Sequence, residues 1–300
     1  MLGRYLPAPL VGALAFLTFV LNILFHFPLL MITALVRVLV PIPAVVRGCR
    51  RAAELIGESW IGVNVWGLKV AGDITWDVTG PGSLRRDGTY LITANHRSAV
   101  DILVVQWLLN RRTPIVKFFL KRELFWVPLM GLAWWALEFP FMRRYPRALL
   151  EQRPELRRKD LETTRRLCER FRDTPVSVLN FLEGTRFSPA KRDHQGSPYV
   201  HLLLPRAGGI AQVVSSLGDR IEALLDFTIV YPGGTPTFWD LISGQIPAIR
   251  VHIDSVALDP AWAGCDYDDA TFREEFQTFV NGLWARKDER IETMTGRPTP

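Results

Sequence analysis

Cysteine is scarce. Cys49, Cys168 and Cys265 are three in 300 residues, odd in number, far apart and in no CxxC pattern. They indicate neither a disulfide framework nor a zinc site, and they fit a reducing, cytoplasmic setting. No metal-ligand cluster such as HExxH occurs, so no metal is expected. No GxSxG elbow occurs either, which weighs against a serine hydrolase. Internal repeats and low-complexity tracts are missing, and 48% hydrophobic content excludes disorder as a global description. Acidic residues are fewer than basic ones, 30 against 36, leaving a formal charge of +6 and a pI of about 9.5. That balance suggests an anionic partner: nucleic acid, a phospholipid surface or a phosphorylated substrate. The basic residues are dispersed and no nucleic-acid-binding motif accompanies them, so nucleic acid is not expected.

What is present begins with a long apolar run. From Leu6 to Val40 it is interrupted only by Asn22, His26, Pro28 and Arg37, and it exceeds the roughly 20 residues that cross a bilayer. It shows no clear small-residue cleavage site, so it reads as a retained membrane anchor over residues 1–45. Two topologies fit. Basic residues on both flanks, Arg4 before and Arg47, Arg50 and Arg51 after, suit a hairpin turning at Asn22 to Pro28 with both flanks cytoplasmic. A single tilted span from Pro9 to Phe27 has the length of one crossing.

Residues 46–300 read as one α/β domain, because strand patterns alternate with helical ones. Strands are expected in Ile61 to Val78, and over Tyr90 to Ala94, Pro114 to Leu120, Val176 to Phe181, Leu225 to Tyr231 and Ile249 to Val256. A charged helix is expected over Pro154 to Arg172, with Leu156, Leu167 and Phe171 on one face. Another is expected over Thr271 to Thr293, opened by a Thr271/Glu274 capping box and striped by Phe272, Phe276, Phe279 and Leu283. Trp126, Trp134 and Trp135 suit a membrane interface and a core equally.

The stretch Asn95-His96-Arg97-Ser98-Ala99-Val100-Asp101 follows the Tyr90–Ala94 run and opens a helical pattern. On one continuous helix His96 and Asp101 would point about 140° apart. With His96 in the turn and Asp101 in the first helical turn, the carboxylate can reach one imidazole nitrogen and leave the other free. A packed histidine and an aspartate complementing the helix dipole fit the same spacing. A second strand end carries Leu182-Glu183-Gly184-Thr185-Arg186. In open α/β sheets, ligands bind beyond the carboxyl ends of strands, so the two loops could border one cleft.

These blocks carry a resemblance. Asn95-His96 with Asp101, then Phe141-Met142-Arg143-Arg144, then Phe181 to Arg186, and a less distinct block around Leu225 to Pro232 resemble, in order and separation, the PlsC-type glycerophospholipid (lysophosphatidate) acyltransferases. The match covers about residues 60 to 290. Lys121 to Leu124 with Pro128 and Gly131, and Asp226 to Pro232 with Trp239 and Gly244, are most similar to the branch of YihG-type bacterial inner-membrane enzymes and eukaryotic lysocardiolipin acyltransferases. Leu182 stands where the family usually has proline.

The resemblance implies a mixed sheet flanked by helices and a membrane-bound enzyme of the bacterial inner membrane facing the cytoplasm. The enzyme would move a fatty acyl group from acyl-CoA or acyl-carrier protein, a co-substrate and not a resident cofactor, to a lysophospholipid hydroxyl. His96 would be the general base and Asp101 its orienting carboxylate, without an acyl-enzyme. Arg186 and Arg144, with Arg143 the alternative to the latter, would bind the acceptor phosphate. Glu183, Gly184 and Thr185 would complete that site, Glu183 orienting Arg186 or a substrate hydroxyl. Two rivals are a serine-type lipid hydrolase using Ser98 and an inactive lysophospholipid-binding protein.

Overall fold

A computed structural model describes residues 2–142, 169, 171, 172 and 174–296. The apolar run forms a single helix, α1 (Ala8–Leu39), which continues through Pro28. After a break of three residues it turns back as α2 (Pro43–Ala71). The hairpin therefore turns at residues 40–42, not at Asn22 to Pro28. Polar residues inside the apolar run explain the pairing. Asn22 donates to the Trp60 carbonyl at 2.9 Å and to Asn64 Oδ1 at 2.7 Å, and His26 Nε2 lies 3.1 Å from Ser59 Oγ. Both residues are buried, where an unpaired polar group is costly, and these bonds across the helix pair offset that cost for the Asn22 amide NH2 and the His26 ring.

The division expected at residue 45 falls inside α2. The strand pattern read from Ile61 is also overturned up to Ala71, which is helical. Ile61, Val63 and Val65 alternate as in a strand, but the residues that α2 buries, Ala53, Gly57, Glu58, Trp60, Gly67, Leu68 and Ala71, recur at helical spacing. At Gly67 a Cβ would stand 3.2 Å from Thr18 of α1, so the helix pair approaches closely there.

The domain that follows is built on a mixed six-stranded sheet. Its strands are β1 (Thr75–Thr79), β2 (Tyr90–Ala94), β3 (Val116–Phe118), β6 (Ser177–Asn180), β7 (Ala223–Val230) and β8 (Ala248–Val256), with β4 (Leu120–Lys121) and β5 (Phe141–Met142) forming a separate short pair. The order is β1-β8-β7-β2-β6-β3. Neighbours are parallel except β7 and β8, which are antiparallel. Strand β2 is buried along its whole length, as expected of a strand covered on both faces.

Among the described residues, the α-helices of the domain are α3 (Val100–Leu109), α4 (Met130–Ala136), α5 (Pro189–Gln195), α6 (Ala207–Leu217), α7 (Phe238–Ile242) and α8 (Ala270–Thr295). The core has two sides. Val11 and Ala15 of α1, Leu68 of α2 and Val104 of α3 meet Ile92, Leu225 and Phe227 of the sheet. Val213 and Val214 of α6 and Phe276, Leu283 and Trp284 of α8 meet Leu91, Val178 and Leu224. Helix α8 is capped by Asp269, whose carboxylate accepts from the Thr271 and Phe272 amides, and not by the expected Thr271/Glu274 box. The acidic residue two positions earlier satisfies two free N–H groups at once. The charged helix expected over Pro154 to Arg172 falls mainly outside the described residues.

Candidate active site

Strands β7, β2 and β6 are adjacent and parallel, so their carboxyl ends leave the sheet along one edge. The NHRSAVD turn follows β2, the LEGTR turn follows β6, and Tyr231 follows β7. Three segments far apart in sequence are thereby brought together at one edge of the sheet, where open α/β sheets bind ligands.

Asn95 anchors the first turn. Fully buried, it donates to the Ile229 carbonyl at 2.9 Å and accepts from the Ile229 amide at 2.8 Å, which fixes the end of β2 against β7. Asp101 lies in the first turn of α3 and points back. Its Oδ2 accepts from the Arg97 amide at 2.7 Å and the Ser98 amide at 2.8 Å, and lies 3.0 Å from His96 Nδ1. An ionised carboxylate only accepts, so this contact puts the ring hydrogen on Nδ1 and leaves Nε2 with its lone pair. The imidazole stacks on Phe181 from the β6 loop, centroids 4.1 Å apart. Its side chain is 16% exposed while Asp101 is wholly buried. The imidazole is thus partly accessible, and water does not reach the carboxylate.

The Ser98 hydroxyl faces elsewhere. It is buried, donates to the Pro236 carbonyl at 2.6 Å and accepts from the Val100 amide at 3.1 Å. With its proton committed to a backbone carbonyl, it is not arranged as a nucleophile for His96, and the hydrolase reading loses its residue.

Glu183 does something other than the sequence suggested. Its Oε1 accepts from the His96 amide at 2.7 Å and its Oε2 from the Leu203 amide at 3.0 Å. Both oxygens thus brace backbone, and among the described residues the carboxylate makes no hydrogen bond to Arg186. The cause is burial: Glu183 is 1% exposed, and desolvation pushes its carboxyl up to about 7 against the lowering effect of the two N–H donors. Leu182, in the place of a proline, is buried, and its carbonyl accepts from the Arg206 amide at 2.8 Å. Gly184 has φ +68, a left-handed conformation that a side chain would strain. A Cβ there would also come within 3.4 Å of the Arg206 guanidinium.

Thr185 Oγ1 accepts from Lys191 Nζ at 3.0 Å, and the same ammonium donates to the Arg186 carbonyl at 2.8 Å. Arg186 itself is exposed, and among the described residues its guanidinium has no partner. The next residue, Phe187, donates its amide to the His96 carbonyl at 2.7 Å, and Arg97 lies over the Phe187 ring at 4.4 Å. The loop bearing Arg186 is therefore tied to the turn bearing His96.

Of the residues singled out in sequence, His96, Asp101, Glu183, Gly184, Thr185 and Arg186 converge. Arg144, with its alternative Arg143, lies outside the described residues. Tyr231 was missed: its hydroxyl donates to Asp101 Oδ1 at 2.6 Å. Nothing local marks it, since the two residues are 130 positions apart. The tryptophans divide: Trp126 is 81% and Trp135 41% exposed, whereas Trp134 is partly covered.

Comparison with known proteins agrees with this geometry. The chain is 29% identical over 178 residues to 1-acyl-sn-glycerol-3-phosphate acyltransferase 2 of Arabidopsis thaliana, covering 54% of this chain and 43% of that protein. It is 29% identical over 228 residues to human 1-acyl-sn-glycerol-3-phosphate acyltransferase delta, covering 70% of this chain and 55% of that one. The chain thus spans about half the length of the curated relatives it matches. The crystal structure of the 1-acyl-sn-glycerophosphate (LPA) acyltransferase PlsC from Thermotoga maritima superposes with a TM-score of 0.58 at 17% identity, covering 97% of each chain, and shares the fold. The Acyltransferase family model matches residues 75–235, a stretch that holds both strand-end motifs and Tyr231 and exceeds half of the 300 residues; the chain belongs to the Acyltransferase family.

Proposed function

We propose that this protein transfers a fatty acyl group from an acyl thioester, acyl-CoA or acyl-carrier protein, to the free hydroxyl of a lysophospholipid such as 1-acylglycerol 3-phosphate. The observation that carries this reading is the His96 imidazole, held through Nδ1 by Asp101, on a turn bonded to the loop of Arg186, whose exposed guanidinium has no partner among the described residues.

The acceptor hydroxyl gives its proton to His96 Nε2 as its oxygen attacks the thioester carbonyl. An O–C bond forms, the C–S bond breaks, and the departing thiolate takes the proton back from the imidazolium. Asp101 stabilises that cation while it lasts. The nucleophile belongs to the substrate, so no acyl-enzyme forms, consistent with Ser98 bonding to Pro236. Arg186, with Arg144 as its partner, binds the acceptor phosphate through paired guanidinium donors. No metal or resident cofactor takes part in this scheme.

Membrane attachment is part of the proposal. Helix α1 is the described helix long and apolar enough to cross a bilayer. It also rests on the domain at both ends: Gly12 approaches Trp239, and Arg37 reaches Glu138 at 3.5 Å, a carboxylate that Arg50 of α2 meets at 3.0 Å. Its outward side chains, Leu17, Leu21, Leu24 and Phe25 among them, are exposed and suit lipid. A bacterial inner membrane with the catalytic domain on the cytoplasmic side fits the unpaired Cys49 and Cys265.

The test is acyl transfer from labelled acyl-CoA or acyl-carrier protein to a panel of lysophospholipids, by the detergent-purified parent and Arg186→Ala. Transfer by the parent, with KM for a phosphomonoester acceptor raised about 10-fold or more in the variant, supports it. Folded parent protein that acylates no acceptor from either donor refutes it.

A further inference from the structure

The residue that closes β7 has a place in the catalytic network that neither its sequence context nor the family's motifs disclosed. Tyr231 is buried, and its hydroxyl donates to Asp101 Oδ1 at 2.6 Å. Three groups already converge on the other oxygen: His96 Nδ1 and the amides of Arg97 and Ser98. Among the described residues, Tyr231 is the partner of Oδ1. Without it, that oxygen would sit in a site closed to water with its charge unanswered.

Tyr231 is not itself a proton donor to the reaction. Asp101 stands between it and the imidazole, and burial together with the neighbouring carboxylate pushes the phenol well above its ordinary value. The hydroxyl therefore remains protonated and donating at all working pH. Other charged groups face the same pair: Arg97 beside it on its own turn, Glu183 from the β6 loop, and Lys287 of α8 behind Glu183.

We propose that Tyr231 is a positioning residue for the general base: its hydroxyl fixes the plane of the Asp101 carboxylate so that Oδ2 stays in line with His96 Nδ1, and it shares the negative charge that the imidazole sees. The inference rests on the reading of His96 as base. It assigns to the end of β7 a role in holding the carboxylate that orients the base rather than in binding substrate. The bond also couples the chemistry to β7, whose Ile229 holds Asn95 at the start of the same turn.

Tyr231→Phe tests this, because the ring keeps its packing and only the donor is removed. Two consequences follow. The carboxylate loses one constraint on its orientation, so kcat falls roughly 10-fold, about the rate equivalent of one hydrogen bond to a charged group, while KM for donor and acceptor stays within about twofold. The carboxylate also pulls harder on the ring hydrogen, so the imidazolium persists to higher pH, and the acidic limb of kcat/KM moves up by roughly half to one pH unit. In an Asp101→Asn background, removal of the same hydroxyl costs far less than in the parent, since it acts through Asp101.

A second readout needs no turnover. The rate at which diethyl pyrocarbonate modifies His96, followed against pH by peptide mass spectrometry, reports the same upward displacement in Tyr231→Phe. If that displacement appears in a protein that transfers no acyl group, the proposed function fails and the role of Tyr231 stands. A variant with parent-like kcat and an unmoved His96 profile overturns the inference. So does one whose loss is fully additive with Asp101→Asn, or whose only change is a lower melting temperature.

Discussion

Four hydrogen bonds end on the Asp101 carboxylate, three on one oxygen and one on the other, and they decide what each neighbouring residue can do. Replacing Asp101 by Asn keeps the shape but removes the charge that stabilises the imidazolium. The expected result is a kcat lower by about 10³-fold or more with little change in KM, as when the orienting acid of a Ser-His-Asp triad is lost. Steady-state transfer kinetics check it. Glu183 makes a different prediction, about stability. Its carboxyl is held near 7 in the folded chain, against 4.5 as an ordinary glutamate, chiefly by burial. The folded state therefore binds this proton more tightly than the unfolded one, and the stability it contributes is lost as pH rises from about 4.5 to about 7. Glu183→Gln removes that slope. It also sets an amide NH2 against one of two N–H donors, at a cost of about 1–3 kcal/mol. Thermal unfolding in detergent at several pH values, parent against variant, reads both effects.

At the scale of elements, α8 is locked to the central sheet by charge as well as by its aromatic stripe. Lys287 is fully buried, its ammonium 2.8 Å from Asp226 Oδ1 and donating to the Phe227 carbonyl at 2.6 Å, and Thr93 donates to the same carboxylate oxygen at 2.5 Å. Removing one partner of such a pair strands the other. Lys287→Met should cost about 3–5 kcal/mol, and pairing it with Asp226→Leu should recover much of that loss. Chemical denaturation of the single and double variants decides it. The aromatic stripe of α8 was legible in sequence because helical spacing is local. The strand-turn-helix around His96 was legible for the same reason, its partners lying within one turn. Less visible were features made by distant chain. The hydroxyl of Tyr231 and the Lys287 pair meet partners 130 and about 60 positions away, and neither residue type announces such a contact. The C-terminal part of helix α2 was misread because the alternation of Ile61, Val63 and Val65 imitates a strand, while the close approach of Gly67 to Thr18 of α1 is made by distant chain. Glu183 was assigned to the phosphate site, orienting Arg186 or a substrate hydroxyl, on the resemblance of its block to the family's motif. Its burial, which turns both oxygens to backbone, is set by the β6 loop and the segment at Leu203 together.

At the scale of the whole molecule, the site opens at one edge of the sheet and the apolar face of α1 is exposed along the hairpin. Lysophospholipids reside in membranes, so an enzyme that meets them there gains from holding that face in lipid. Leu21→Lys with Phe25→Lys should forfeit roughly 1.5–3 kcal/mol of apolar burial per residue and shift the protein from vesicles to the soluble fraction in flotation. Transfer to an acceptor in vesicles should fall while transfer to the same acceptor in detergent micelles is retained. The central claim is that His96 activates the acceptor's own hydroxyl, and the most direct measurement is thiol release from an acyl thioester with and without lysophosphatidate, by the parent and His96→Ala. The account predicts that the parent releases thiol only when the acceptor is present, carries no acyl label before it is added, and yields one acylated product per thiol, while His96→Ala remains at background. A covalent acyl-enzyme formed without acceptor, or equal release by parent and variant, would contradict it.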